Sequence, residues 1–420
     1  VSDANPFGRP RAVRLDVAGQ EPRRPRERPV ESERLEPASA RSPEDVPVES
    51  VALRAMDGAD VLALFTRVWG PERDLAAEYP LLFRDRERRR DGTRVLELGA
   101  LQRTPGRFVG LVVDGDVVSA CGYLERELVT PFGRLRVALL GSVSTDPDWR
   151  GRGLASIVLA EAEAWARRSG CAATLLWPMD DRLYEANGYR AAACEWNVVL
   201  PVDLTLGDEL PLRTALPSDA AALLALYDQH PVRAVRGVLE FALLLGCPNM
   251  DARVAVRDGQ IVAYALRGRG GDLATCVHEW AGEPAAVLGL VSGFAREASG
   301  HEASGPLYLL APDWSNAVTE ALLDAGCVAV TRPLGMAKLA DRAAAGRFLE
   351  ARTGCRVVPS GIGALIDSPT GPRALTDAEL LAAILPPENQ GPELESVAER
   401  IGAQAANLPA YAFAWGLDSI

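Results

Sequence analysis

Arginine and glycine alternate at Arg150-Gly151-Arg152-Gly153, directly ahead of a run in which Leu154, Ile157, Val158, Ala162 and Trp165 recur at helical spacing. A helix start leaves backbone N–H groups without partners and carries partial positive charge. Glycines let a bulky anion approach such a backbone closely. Arginines beside it add charge-assisted donors. The chemistry this turn suits is the holding of a pyrophosphate. It matches neither the dinucleotide fingerprint G-x-G-x-x-G nor the P-loop with its Gly-Lys-Ser/Thr.

The elements that must position the turn are legible on both sides. Val137, Leu139, Leu140 and Val143 make an apolar, β-prone run, and Asp146-Pro147-Asp148 stops it. The helix ends at Ser169-Gly170, where glycine is a natural terminator. Leu175-Leu176-Trp177 reads as the next strand, followed by Leu183-Tyr184-Glu185-Ala186-Asn187-Gly188-Tyr189.

In this order and spacing, Thr145 to Ala155 resembles the acetyl-CoA motif of the GNAT N-acetyltransferases, Q/R-x-x-G-x-G/A after a strand, matched at Arg150, Gly153 and Ala155. Leu183 to Tyr189 resembles that family's short helix ending in Y-x-x-x-G-F/Y. The resemblance implies acetyl-CoA as co-substrate. Its pantetheine would run along Val143, Ser144 and Thr145, with the pyrophosphate on the amides of Arg150, Gly151, Arg152, Gly153, Leu154 and Ala155. It also implies Tyr184 as general acid for the departing thiolate, and direct attack by a primary amine within a ternary complex. The strand offers only Ser142 and Ser144 near the reacting carbonyl, so Glu125, Glu195, Asp180 and a water chain are all open as base.

Composition sets the class. The chain has 420 residues, 48% hydrophobic and 24% charged, enough for two or three domains. Its net charge of −12 argues against a general nucleic-acid binder and accords with a cationic amine. No apolar run is long enough to span a membrane and no export signal is visible, so the expectation is a cytoplasmic protein without nucleic-acid or membrane partners. Seven scattered cysteines without a C-x-x-C pair read as buried thiols. Three isolated histidines make a metal site improbable. Lys338 is the only lysine, which points to a GC-rich, bacterial coding sequence.

The expected fold class is α/β (α+β), with tandem GNAT folds of mixed, mostly antiparallel sheets flanked by helices and a small C-terminal α/β unit. Residues 1–45 are rich in Arg, Pro, Glu and Ser and are expected to be disordered. Residues 46–205 are the catalytic unit. There Asp114-Gly115-Asp116 marks a hairpin and Arg84 to Arg90 a solvated loop, and the resemblance makes Tyr79, Leu82 and Phe83 pocket candidates against a default of core. Residues 206–340 repeat the plan, but Ala281-Gly282-Glu283-Pro284 stands where the cofactor turn belongs, so this unit is read as degenerate. In it His278 or Glu279 could move protons across an interface, though a satisfied structural histidine is the favoured reading, and His230 and His301 carry no signal. Residues 341–420 form the last unit, with a helix capped at Thr376 and an aromatic end, Tyr411 to Trp415, that docks. The order of units resembles the enhanced intracellular survival (Eis) acetyltransferases, which implies a terminal carboxylate, here that of Ile420, near the active site. The reading from another class is a non-catalytic acyl-CoA sensor or assembly module. A kinase or reductase is disfavoured by the missing phosphate and ribose partners.

Overall fold

The computed structural model describes residues 52–56, 58–83, 106–298, 306–368, 371–387, 397–399 and 412–418. The expectations for residues 1–45, Arg84 to Arg90, His301, Tyr411 and Ile420 fall outside these residues.

The chain opens with β1 (Ala52–Met56), α1 (Gly58–Trp69) and the single turn α2 (Leu75–Glu78). There follow β2 (Arg107–Val113), β3 (Asp116–Thr130), β4 (Gly133–Thr145), α3 (Leu154–Arg168), β5 (Ala173–Leu176), α4 (Asp181–Ala186) and β6 (Arg190–Leu200). The β2–β3 hairpin turns on Asp114 and Gly115, with φ of 51° and 96°. Left-handed backbone at both positions is what a two-residue turn between twisted strands requires. α1 buries Val61, Leu64 and Phe65, whereas Leu62 is exposed. Likewise α3 buries Leu154, Val158, Leu159, Ala162 and Trp165 and leaves Ile157 at its margin. Leu82 and Phe83 are core: the Phe83 ring packs 5.5 Å from Phe65 and 5.0 Å from Phe108.

The second half repeats this order with β7 (Leu212–Thr214), α5 (Ala220–Tyr227), β8 (Arg233–Ala234) and α6 (Val238–Leu244). Next come β9 (Asp251–Arg257), β10 (Gln260–Arg267), β11 (Cys276–Gly282), α7 (Pro284–Ala298), β12 (Leu307–Pro312), α8 (Ala317–Asp324) and β13 (Val328–Leu339). Its hairpin at Asp258-Gly259 has the same left-handed pair, φ 52° and 77°.

The strands of both halves form one sheet in the order β1-β2-β3-β4-β5-β13-β6-β12-β11-β10-β9-β7, with β8 added on β3. Only β4–β5 and β11–β12 pair in parallel among the described strands. The two halves are interleaved: β13 lies between β5 and β6, and β6 lies between β13 and β12. A smaller unit follows, in which α9 (Arg342–Thr353) and α10 (Asp377–Ile384) pack on the antiparallel sheet β14 (Val357–Ser360), β15 (Gly363–Ser368) and β16 (Gly371–Thr376). Thr376 caps α10 in a reciprocal box with Glu379.

Candidate active site

β4 pairs with β5 only from Val137–Ala173 to Leu139–Leu175. Beyond that point β4 bulges. Cys121 of β3 alone faces both Ser142 and Val143, and Ser142 takes a φ of 50°. A bulge bends its strand and ends regular pairing, so the two parallel strands part into a wedge.

A cleft of about 590 Å³ occupies the wedge. Its floor is Val143, Ser144 and Thr145; its far end is Arg150, Gly151 and Gly153 with the first residues of α3, Leu154, Ala155 and Ser156. Gly151 and Gly153 have φ of 77° and 74°, and the space a Cβ would take at either is open. The demand for glycine here is therefore conformational, with room above the turn for a ligand. Gly153 caps α3 without a side-chain acceptor, and α3 carries no acidic residue in its first turn but two arginines, Arg167 and Arg168, in its last. The first N–H groups of α3 thus meet the cleft with the helix dipole uncompensated at that end.

The opposite wall is supplied by the last turn of α1, where Val68 and Trp69 line the cleft. Trp69 Nε1 donates to Ser144 Oγ at 2.9 Å, and Arg67 Nε pairs with Asp146 at 2.7 Å. These two contacts fix the helix end to the end of β4. Trp149, Met179 and Leu183 complete the lining.

Eight of the nine residues expected to hold acetyl-CoA line this one cleft: Val143, Ser144, Thr145, Arg150, Gly151, Gly153, Leu154 and Ala155. Arg152 stands aside, its guanidinium 4.9 Å from the centre of the Trp149 ring. Arg150 folds back, with Nε donating to the Thr145 carbonyl at 3.2 Å. Tyr184 is half-buried and is not among the lining residues. Its ring meets Tyr189 edge-on at 5.9 Å, on the apolar cluster that also carries Val143 and Cys121. Burial, and then the Cys121 thiol, push its phenol well above the usual tyrosine range, so it is protonated at neutral pH.

The three carboxylates considered as base lie elsewhere. Glu125 accepts from Tyr123 and Ser169 and pairs with Arg136. Burial opposes its charge, but those partners together hold its carboxyl below the usual range. Asp180 caps α4, and hydrogen bonds from Arg182 bring it down to about 2. Glu195 lies on β6 between β13 and β12, where burial raises it to about 7 against a hydrogen bond from Asn197. None of the three lines the cleft.

His278 and Glu279 are fully buried away from it. His278 Nε2 donates to the Gly268 carbonyl at 3.0 Å, and burial lowers the ring to about 3. His230, in the loop after α5, stacks on Trp415 at 4.0 Å and donates to the Trp280 carbonyl, and burial lowers it to about 4. Among the described residues no group of three His, Cys, Asp or Glu is placed to hold a metal ion. The sequence reading missed Val68, Trp69, Trp149, Ser156, Met179 and Leu183 as lining residues. Trp69 had a local signal, an aromatic at a helix end just before Gly70-Pro71.

Residues 52–192 match the family model described as acetyltransferase (GNAT) domain. No curated protein matches the sequence. Among solved structures, a GCN5-related N-acetyltransferase from Kribbella flavida is 20% identical and superposes with a TM-score of 0.55, covering 89% of this chain and 100% of that one. Eis1 from Mycobacterium abscessus is 16% identical with a TM-score of 0.53, covering 88% and 98%. A probable N-acyltransferase from Enterococcus faecalis V583 is 13% identical with a TM-score of 0.57, covering 87% and 97%. At such identities the likeness is one of fold. The matched stretch, residues 52–192, holds both the wedge and its glycine turn.

Proposed function

We propose that the chain transfers an acetyl group from acetyl-CoA to a primary amine, with residues 46–205 as the catalytic unit, 206–340 as a degenerate GNAT-like unit and 341–420 as an accessory one. The observation that carries this reading is the cleft itself: parted parallel strands, left-handed Gly151 and Gly153 with open space above them, and an α3 N-terminus bare of acidic residues. That donor set fits a pyrophosphate and a thioester arm.

Backbone N–H groups at Leu154, Ala155 and Ser156 would hold the pyrophosphate. The β4 edge at Val143 to Thr145 would align the pantetheine arm and offer an N–H to the developing oxyanion. The neutral amine attacks the thioester carbon, the C–S bond breaks, the nitrogen gives up one proton to solvent water, and the thiolate takes one. Tyr184, kept protonated by burial, is the proposed donor. The acceptor is a small-molecule amine or an exposed amino group.

A second reading is a non-catalytic acyl-CoA-binding module, and the position of Tyr184 outside the cleft lining supports it. Calorimetric titration of acetyl-CoA into the wild type and the Arg150→Glu, Gly153→Glu variant tests the site. Binding only by the wild type is expected; binding by neither removes both readings. Release of free CoA in the presence of an amine panel then separates enzyme from sensor.

A further inference from the structure

The second half keeps a wedge of the same construction. β11 and β12 pair in parallel only at Cys276–Tyr308 and Val277–Leu309. His278 is the extra residue of a bulge on β11, as the Ser142-Val143 pair is on β4. The anion turn, however, is missing: only Glu283 separates β11 from α7, where the first half has Asp146 to Gly153. Trp280 reaches across this wedge, its Nε1 donating to the Leu310 carbonyl of β12 at 3.2 Å. Against it lies another part of the same chain, residues 412–418.

All seven residues of that segment are buried, Phe413, Trp415, Leu417 and Asp418 almost completely. Trp415 stacks on His230 and meets the edges of Trp280 at 5.2 Å and Phe413 at 4.9 Å. Its Nε1 donates to the Val232 carbonyl at 3.1 Å. Arg269 donates to the Gly416 carbonyl at 2.7 Å, and the Leu417 N–H reaches Glu279 at 3.3 Å. A Cβ at Gly416 would run into the His278 ring, so this glycine is demanded by space. The Asp418 carboxylate sits 2.8 Å from Arg236 and accepts from the Tyr227 hydroxyl at 3.1 Å, with Arg126 of β3 at 3.9 Å.

The charges around it balance only with the segment in place. Arg126, Arg236 and Arg269 face Glu240, Glu279 and Asp418: Arg126 pairs with Glu240 at 2.6 Å, and Arg236 pairs with Glu279 at 2.8 Å as well as with Asp418. Without Asp418 the buried cluster holds one guanidinium in excess, which is costly in a low-dielectric interior. Aromatic surfaces, directed backbone acceptors and donors, and a surplus positive charge together describe a peptide site.

We infer that the second half is a receptor for residues 412–418, an aromatic peptide whose anchoring charge is Asp418, seated in the wedge that in the first half is the open cleft. The receptor takes an acidic aromatic segment in place of a nucleotide. Because β3 supplies Arg126, the docked segment also ties the second half to the first. This holds whether or not the first half transfers acyl groups.

Amide hydrogen exchange on the full chain tests it. In the wild type, residues 412–418 should exchange at least about 100-fold more slowly than the same sequence as a free peptide. Asp418→Asn should speed exchange there by about tenfold or more while leaving α3 unchanged, and Tyr227→Phe should do so by a few-fold. Exchange at the free-peptide rate in the wild type, or an unchanged rate in Asp418→Asn, overturns the proposal. Should Asp418→Asn not fold, a wild-type chain with a specific protease site in place of residues 401–406 decides the matter. After cleavage the fragment should stay with the body through gel filtration, and its immediate loss overturns the proposal.

Discussion

At the scale of single residues, the glycine turn and Tyr184 separate binding from chemistry. Gly153 is left-handed with open space around it, so Gly153→Val pays only a backbone penalty of about 1–2 kcal/mol. It should lower the melting midpoint by a few degrees and weaken acetyl-CoA binding at least about tenfold, because the α3 amides move with the cap. Calorimetry of folding and of binding reads both. Tyr184→Phe should leave acetyl-CoA affinity unchanged and cut kcat by about 100-fold; with its phenol raised by burial, the wild-type rate should show no loss from this acid up to pH 10. The buried titrating groups predict a pH dependence of stability. His230 and His278 fall from 6.5 to about 4 and about 3, so between pH 4.5 and 6.5 the unfolded chain binds two protons there that the native one does not. Glu195 rises from 4.5 to about 7, so the native chain holds one proton that the unfolded one releases. The balance is one extra proton on the unfolded side, and stability should fall as pH drops through this window by up to about 1.4 kcal/mol per unit. Glu195→Gln should steepen that slope towards twice the value, measured by denaturant unfolding at three pH values.

At the scale of elements, the cleft depends on how firmly α1 is fastened to β4. Trp69→Phe keeps the ring in the wall and removes the hydrogen bond to Ser144. About 1 kcal/mol of local stability is at stake, so acetyl-CoA binding should weaken by roughly fivefold while the amine KM changes less, read by calorimetry and initial rates. The elements themselves were largely legible. Asp114-Gly115 announced its hairpin because only a few residue types tolerate left-handed turns, and Asp258-Gly259 repeats the same left-handed pair. Thr376 announced α10 as its cap residue, to which the structure adds the reciprocal bond from Glu379. The anion turn was legible for the same reason, since its glycines are imposed by backbone geometry rather than by distant packing. Partnerships across the chain were not legible. Nothing local in Trp69 says that its indole meets Ser144, or in His230 that it stacks on Trp415, because those contacts are set by tertiary neighbours far along the sequence. The single turn α2 is likewise tied from outside its own sequence, since Arg73 and Tyr79 both reach Asp272 of the second half.

For the whole molecule, the filled second wedge predicts one acetyl-CoA per chain, which the stoichiometry of the same titration measures. The interleaving of β6 and β13 reaches further. Glu195 pairs with Arg332 and Ala191 with Met336, so the middle of the sheet is closed by residues more than a hundred positions apart. Residues 46–205 alone would leave β5 and β6 without the strand that joins them, and exposed strand edges recruit other chains. Expressed by itself this piece should therefore self-associate, as light scattering would detect, even though it holds the complete glycine turn. On the ribosome the same arrangement orders events in time. The gap between β5 and β6 can close only after residue 339 has emerged, so until the second half is made a nascent chain carries two unpaired strand edges beside its finished glycine turn.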